Sequence, residues 1–248
     1  MGNAPTNPNP VALVTGGAVR VGRAISLGLA EAGFDLVVNY HQSEAEAEQV
    51  SRRIRELGRS VVLVQGDVSR SEDVERITEA LRRRFRRLDL LVNNASLFRQ
   101  VPFMEIQEDD WDQVMGVNVK GPFMMAQATA DLLDRSGGSV VNLVDLSAFQ
   151  AWREFPHHSV SKAGALHLTR VMARCLAPRI RVNAIAPGPV LLPDDYDEEK
   201  SRKAADRTAL GRLGAPEDVL RTILFLDRSP FITGEVIVVD GGQALSGR

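Results

Sequence analysis

Residues 11–23 read VALVTGGAVRVGR, a short apolar run rich in β-branched residues, then a glycine turn, then the start of a helix. That succession can hold a dinucleotide. Glycines at Gly16, Gly17 and Gly22 let the backbone approach a pyrophosphate closely, and the free N–H groups and dipole at the helix N-terminus favour its negative charge. The chemistry that follows is redox chemistry. Further along, His158 stands four residues before Lys162, so the two side chains share one helix face.

These residues need elements to hold them. Apolar runs at 11–14, 35–39, 61–65, 88–92, 139–144, 180–185 and 235–239 read as strands, and helical stretches separate them. Residues 43–57 place Ala47, Val50, Ile54 and Leu57 on one face; residues 111–133 do the same with Met115, Val119 and Phe123. The alternation predicts an α/β fold, a single-domain Rossmann-type doubly wound parallel sheet of about seven strands with helices on both faces. Ligands of such sheets sit beyond the carboxyl ends of the strands. The chemistry is therefore expected just after Val14, Asn39, Gln65, Val92, Val144 and Ala186.

With 248 residues the chain is the size of one domain, here residues 11–248 behind a loose arm at 1–10. A formal net charge of −2 gives no global field to attract nucleic acid. The one basic run, Arg82, Arg83, Arg84, Arg86 and Arg87 around Phe85, reads as a solvated face at a helix C-terminus. A single cysteine, Cys175, allows no internal disulfide framework, and no apolar run approaches the ~20 residues of a membrane helix. A cytoplasmic enzyme without membrane or nucleic-acid partners is expected. No cluster has metal-ligand spacing, and His157 and His167 receive no functional role.

At the strand ends Thr15-Gly16 with Gly22, Gly66-Asp67-Val68, Asn93-Asn94-Ala95, Asn118, Lys162, Pro187-Gly188 and Asp240-Gly241-Gly242 occur in order. Across residues 11–245 this resembles the short-chain dehydrogenase/reductase family. Three features are similar to its pteridine reductase branch: Arg20 where most members have glycine, Ser96 and Phe98 after Asn93-Asn94-Ala95, and Asp145 where most have the catalytic serine. The resemblance implies a cofactor site made by Thr15, Gly16, Arg20, Val21, Gly22, Tyr40, His41, Ser43, Asp67, Val68, Asn93, Ala95, Ser96, Lys162, Pro187 and Gly188. Asp67 would accept from the adenine amino group while Val68 packs on that ring. Asn93 would hold the fourth strand against the glycine loop, and Pro187-Gly188 would lie along the nicotinamide carboxamide.

Sites selective for NAD place an acid at the end of the second strand, and this chain reads Asn39-Tyr40-His41-Gln42-Ser43 there. With Arg20 reaching the same ribose, and Ser43 or His41 as further donors, a 2′-phosphate fits better; NADP(H) is expected. The family normally aligns Asn, Ser, Tyr and Lys, but here His158 occupies the tyrosine position. Lys162 would bind the nicotinamide ribose and Asn118 would anchor a proton-carrying water. Asp145 would favour imidazolium at His158, making the pair a proton source. A planar slot lined by Phe98, Trp152, Phe155, Asp145 and Ser96 would take a small-molecule substrate such as a pterin. The 189–196 loop would wall it, and the acidic stretch Asp194, Asp195, Asp197, Glu198 and Glu199 would form a mobile lid.

An NADPH-dependent pteridine-reductase-like enzyme is the leading expectation. A 3-oxoacyl-type carbonyl reductase and a catalytically silent NADP-binding protein are the alternatives. The resemblance also implies a homotetramer built on the helices at 111–133 and 159–176.

Overall fold

A computed structural model describes residues 9–192 and 196–245. Seven parallel strands form one sheet: β1 (Val11–Val14), β2 (Asp35–Tyr40), β3 (Val61–Gln65), β4 (Leu90–Asn93), β5 (Ser139–Leu143), β6 (Arg181–Pro187) and β7 (Val236–Val239). Their order is β3-β2-β1-β4-β5-β6-β7, so the chain reverses its winding between β1 and β4. A crevice opens at that reversal. Strand alternation decides which residues build which core. Val11, Leu13, Val37, Leu91 and Val140 face α3 (Ser71–Arg84), α5 (Gly121–Ser136) and α6 (Pro156–Leu176). Ala12, Val14, Leu36, Val38 and Leu90 face α1 (Arg20–Glu31), α2 (Glu44–Glu56) and α8 (Pro216–Asp227). The runs are apolar throughout because both sheet faces are covered.

On the second face α1 and α8 approach so closely that a Cβ on Gly28 would lie 2.0 Å from Leu220 Cδ2. The first helix of the chain is thereby clasped to the last.

Four expectations change. The helix at 111–133 is two helices, α4 (Glu108–Met115) and α5, joined without a break by a π segment at Gly116–Lys120 that contains Asn118. Hydrophobic spacing of 3.6 does not register that one-residue widening. The basic run is not simply a solvated face. Arg82 binds Asp131 of α5 at 2.6 Å and Arg87 binds Asp89 at 2.7 Å; Arg82 and then Arg135 hold the Asp131 carboxyl down to about 2. The arm at 1–10 ends earlier than expected, since Pro10 O already accepts from Asp35 N at 2.8 Å, while residues 1–8 lie outside the described part. Of the acidic stretch, Asp194 and Asp195 lie outside the described residues; Asp197 caps α7 (Glu198–Asp206) by accepting from Lys200 N at 2.8 Å. No helix among the described residues is long and apolar enough to cross a membrane.

Candidate active site

The turn after β1 is built by backbone approach. A Cβ on Gly22 would sit 2.1 Å from Gly16 O, and Gly16 itself adopts φ +60 with Ala95 packed against it. Only glycine serves at either position. Thr15 ties this turn to the exit of β4: its Oγ1 accepts from Asn94 N and Ala95 N at 3.0 and 3.1 Å. Asn94 Nδ2 returns the link by donating to Thr15 O and Gly16 O, both at 3.0 Å. Asn39 does the same from β2, accepting from Gly16 N at 3.3 Å and donating to Gly66 O at 2.9 Å.

The role expected of Asn93 thus belongs to Asn94. Asn93 continues the face of Leu91 and points toward α6, where Nδ2 donates to Asn142 Oδ1 at 2.8 Å; Asn142 Nδ2 in turn donates to Thr169 Oγ1 at 2.9 Å. The next residue along the chain reaches the opposite side.

Beyond the turn lies a cleft of about 2030 Å³. Along it come Gly16, Arg20, Val21 and Gly22 from the turn, Tyr40, His41 and Ser43 from the end of β2, and Asp67 and Val68 after β3. Ala95, Ser96 and Phe98 follow β4, Asp145, Trp152 and Phe155 follow β5, His158 and Lys162 come from α6, and Pro187 and Gly188 end β6. Thr15, Asn93 and Asn118 stand behind this lining. α1 begins after Val19 with no side-chain cap and no acid in its first turn, so its N-terminus can take an anion. The glycine cradle, this helix end and the volume of the cleft fit a dinucleotide.

Arg20 differs from expectation. It adopts φ +51, and its guanidinium donates to Leu191 O and Leu192 O, both at 3.3 Å. These carbonyls follow β6, on the other side of β1 from β2, so the side chain spans the cleft rather than reaching toward Tyr40–Ser43. Asp67 Oδ1 accepts from Ser69 N and Oγ at 2.9 and 2.8 Å. Gly188 N bonds Val239 O at 3.0 Å, and a Cβ there would meet Asp240 at 2.7 Å.

At the β5 side, the first two turns of α6 carry His158 and Lys162. His158 is buried; Nε2 contacts Asp145 Oδ2 at 2.8 Å and Nδ1 faces Leu97 O at 3.2 Å. Both partners are acceptors, and the ring donates to both when it carries two protons. Burial pushes the Asp145 carboxyl up, but the His158 hydrogen bond, the Lys162 charge and the Ser147 hydroxyl outweigh it and hold it below the usual range. Lys162 Nζ donates to Leu143 O at 3.1 Å; burial lowers its ammonium and Asp145 offsets part of that.

Asn118 is buried in the π segment, and its amide holds the Leu97 backbone from both sides, accepting from N at 2.8 Å and donating to O at 3.0 Å. It also donates to Ser161 Oγ at 2.9 Å. Its side chain therefore fixes the loop that faces His158. The aromatic slot is more closed than expected: Phe98 stacks on Phe155 with centroids 4.2 Å apart and meets His158 edge-on at 4.6 Å. Trp152 lies over His158 at 6.4 Å.

Asn39, Asn94, Ser147 and the Leu97 carbonyl have no site role assigned from the sequence alone. A polar residue ending an apolar strand was a usable signal for Asn39, and strand alternation was one for Asn94. Ser147 and Leu97 offered none.

A family model described as enoyl-(acyl carrier protein) reductase matches residues 17–244. The 2-dehydro-3-deoxy-D-gluconate 5-dehydrogenase of Escherichia coli (strain K12) is 36% identical over 242 residues, covering 94% of either chain. The 3-oxoacyl-(acyl-carrier-protein) reductase FabG of Staphylococcus aureus (strain Mu50) is 35% identical over 238 residues, 94% of this chain and 97% of the relative. Among solved structures, a Burkholderia xenovorans chain described as a short-chain dehydrogenase/reductase superposes with a TM-score of 0.90 at 30% identity, covering 96% of this chain and 99% of that one. A Sinorhizobium meliloti 1021 chain described as a short-chain alcohol dehydrogenase gives 0.88 at 33%, covering 95% and 96%.

Proposed function

The chain belongs to the short-chain dehydrogenase/reductase family of oxidoreductases, whose members bind nicotinamide cofactors, and from that premise we propose that it is an NADPH-dependent reductase. Its substrate is a planar conjugated C=N or C=O compound, a pterin or a similar small molecule. The observation that carries this reading is the Asp145–His158 pair beside Lys162, its ring buried and its carboxylate partly exposed to the cleft that starts at the glycine turn.

When bound, NADPH supplies a hydride for the substrate carbon. The turn at Gly16–Gly22 and the N-terminus of α1 hold the pyrophosphate. Asp67 and Val68 take the adenine, and Pro187 and Gly188 take the carboxamide. The NADP(H) preference rests on the absence of an acid at residues 39–43, with His41 and Ser43 as donors to a 2′-phosphate. Lys162 holds the ribose. His158 holds the proton on Nε2 against Asp145 Oδ2, the partly exposed Asp145 passes it on to the substrate nitrogen or oxygen, and solvent then reprotonates the pair by the same route. Asn118 keeps the Leu97 carbonyl against the ring. Phe98, Phe155, Trp152 and Ser96 shape the substrate end. The protein works in the cytoplasm as a homotetramer.

A second reading, reduction of a 3-oxoacyl-type carbonyl, is favoured by the printed activity of the Staphylococcus aureus relative. NADPH oxidation across pterins, quinones, ketones and 3-oxoacyl thioesters distinguishes the two. His158→Phe should lower turnover by ~10² to 10⁴ while leaving NADPH affinity nearly unchanged. An unchanged rate removes His158 as proton donor. Stoichiometric NADPH binding without consumption on any substrate makes the protein a silent cofactor binder.

A further inference from the structure

Ser147 is buried in the short 3₁₀ turn Leu146–Ala148 that follows β5. Its backbone N–H donates to Asp145 Oδ1 at 2.8 Å, and its hydroxyl donates to the same oxygen. The backbone bond alone closes the turn. The hydroxyl is therefore a second donor on an oxygen already satisfied, and it leaves Oδ2 as the oxygen that meets His158 Nε2 at 2.8 Å.

We propose that Ser147 is a positioning residue that fixes which oxygen of Asp145 faces His158 and sets how strongly the carboxylate holds the imidazolium. The inference rests on the reading that this pair moves the proton. A hydroxyl donating to a carboxylate disperses its charge and weakens it as a base. Without that hydroxyl, Asp145 attracts the His158 proton more strongly, and the imidazolium persists to higher pH. The other groups around the pair stay in place: Lys162 and His157 on α6, Asn118 on the π segment and the Leu97 carbonyl in the loop after β4. Phe98 and Trp152 cover the ring and bring no charge.

The test follows the titration of the pair at the His158 ring by nitrogen-15 NMR in cofactor-free protein, for wild type, Ser147→Ala, Ser147→Thr and Ser147→Cys. Removing the hydroxyl should move the midpoint up by about half a pH unit, a fraction of what a hydrogen bond to a charged group contributes. Threonine should restore the wild-type midpoint. Cysteine, a weaker donor of similar size, should give a smaller shift in the same direction, and it replaces alanine in the argument if that variant does not fold. The alkaline limb of NADPH oxidation, where the donor loses its proton, should move with the ring. A midpoint common to all variants, or no titration in any, overturns the proposal. A shifted midpoint in a protein that consumes no NADPH upholds the positioning role and overturns the proposed function instead.

Discussion

His157 sits one residue before the proposed proton donor and has the opposite circumstances. It is fully buried, and neither ring nitrogen has a hydrogen-bond partner. Burial holds its imidazole below the ordinary value; Asp110 works against this, while His158 and Arg99 add to it. The folded protein therefore keeps His157 neutral at a pH where the unfolded chain, with an ordinary value of about 6.5, already takes a proton. Stability from this residue is complete above that pH and is lost as pH falls from there toward the folded value. The slope from one such group is at most about 1.4 kcal/mol per pH unit. His157→Phe should flatten the decline of Tm between pH 7 and 5, whatever it does to Tm at neutral pH. Parallel declines in the two proteins would refute the assignment. At this scale His158 and Lys162 were legible because they stand where the family resemblance puts its tyrosine and lysine, four residues apart on one helix face. Arg20 was not, because where a long side chain reaches depends on what the other wall of the cleft presents, here the carbonyls of Leu191 and Leu192.

At the scale of elements the glycine turn is held by two neighbouring asparagines with different tasks. Asn94→Ala removes both donors to Thr15 O and Gly16 O, loosening the turn that is to cradle the pyrophosphate. We expect NADPH affinity to fall roughly tenfold, the effect of about one lost hydrogen bond. Asn93→Ala breaks the chain through Asn142 to Thr169 instead, and should lower Tm while changing NADPH affinity little. Isothermal titration and thermal melts on the two variants check this, and equal effects on affinity would contradict the division. The strands were readable because a doubly covered sheet demands apolar runs and glycine punctuates them. The widening between α4 and α5 was hidden because the π segment continues the helix and shifts the apolar period by a single residue. Partner choice between Asn93 and Asn94 needs the exact last residue of β4, which sequence patterns leave uncertain by a residue or two.

For the whole molecule, α5 and α6 carry exposed apolar residues on the faces turned from the sheet: Phe123 at 44%, Val160 at 48% and Val171 at 45% exposure. Helices already buried on one side have little reason to keep such side chains in water. A symmetric interface between copies of this chain would cover them. Light scattering at micromolar concentration should give the mass of four chains of 27.1 kDa, and Val160→Lys should lower it. A wild-type monomer would contradict the assembly. The doubly wound parallel class followed from alternation, whereas the strand order needs the structure and the number of copies depends on outward faces that leave only a weak excess of apolar residues in the sequence.

The clasp between Gly28 and Leu220 joins residues far apart in the chain, and it constrains how the protein can change. A methyl group at position 28 has no room while leucine stands at 220, and a smaller residue at 220 leaves a void while glycine stands at 28. Either step alone is harmful. Taken together they compensate, so the order of substitutions matters and the two positions are expected to drift as a pair. α1 and α8, nearly two hundred residues apart in the chain, are thus expected to change together.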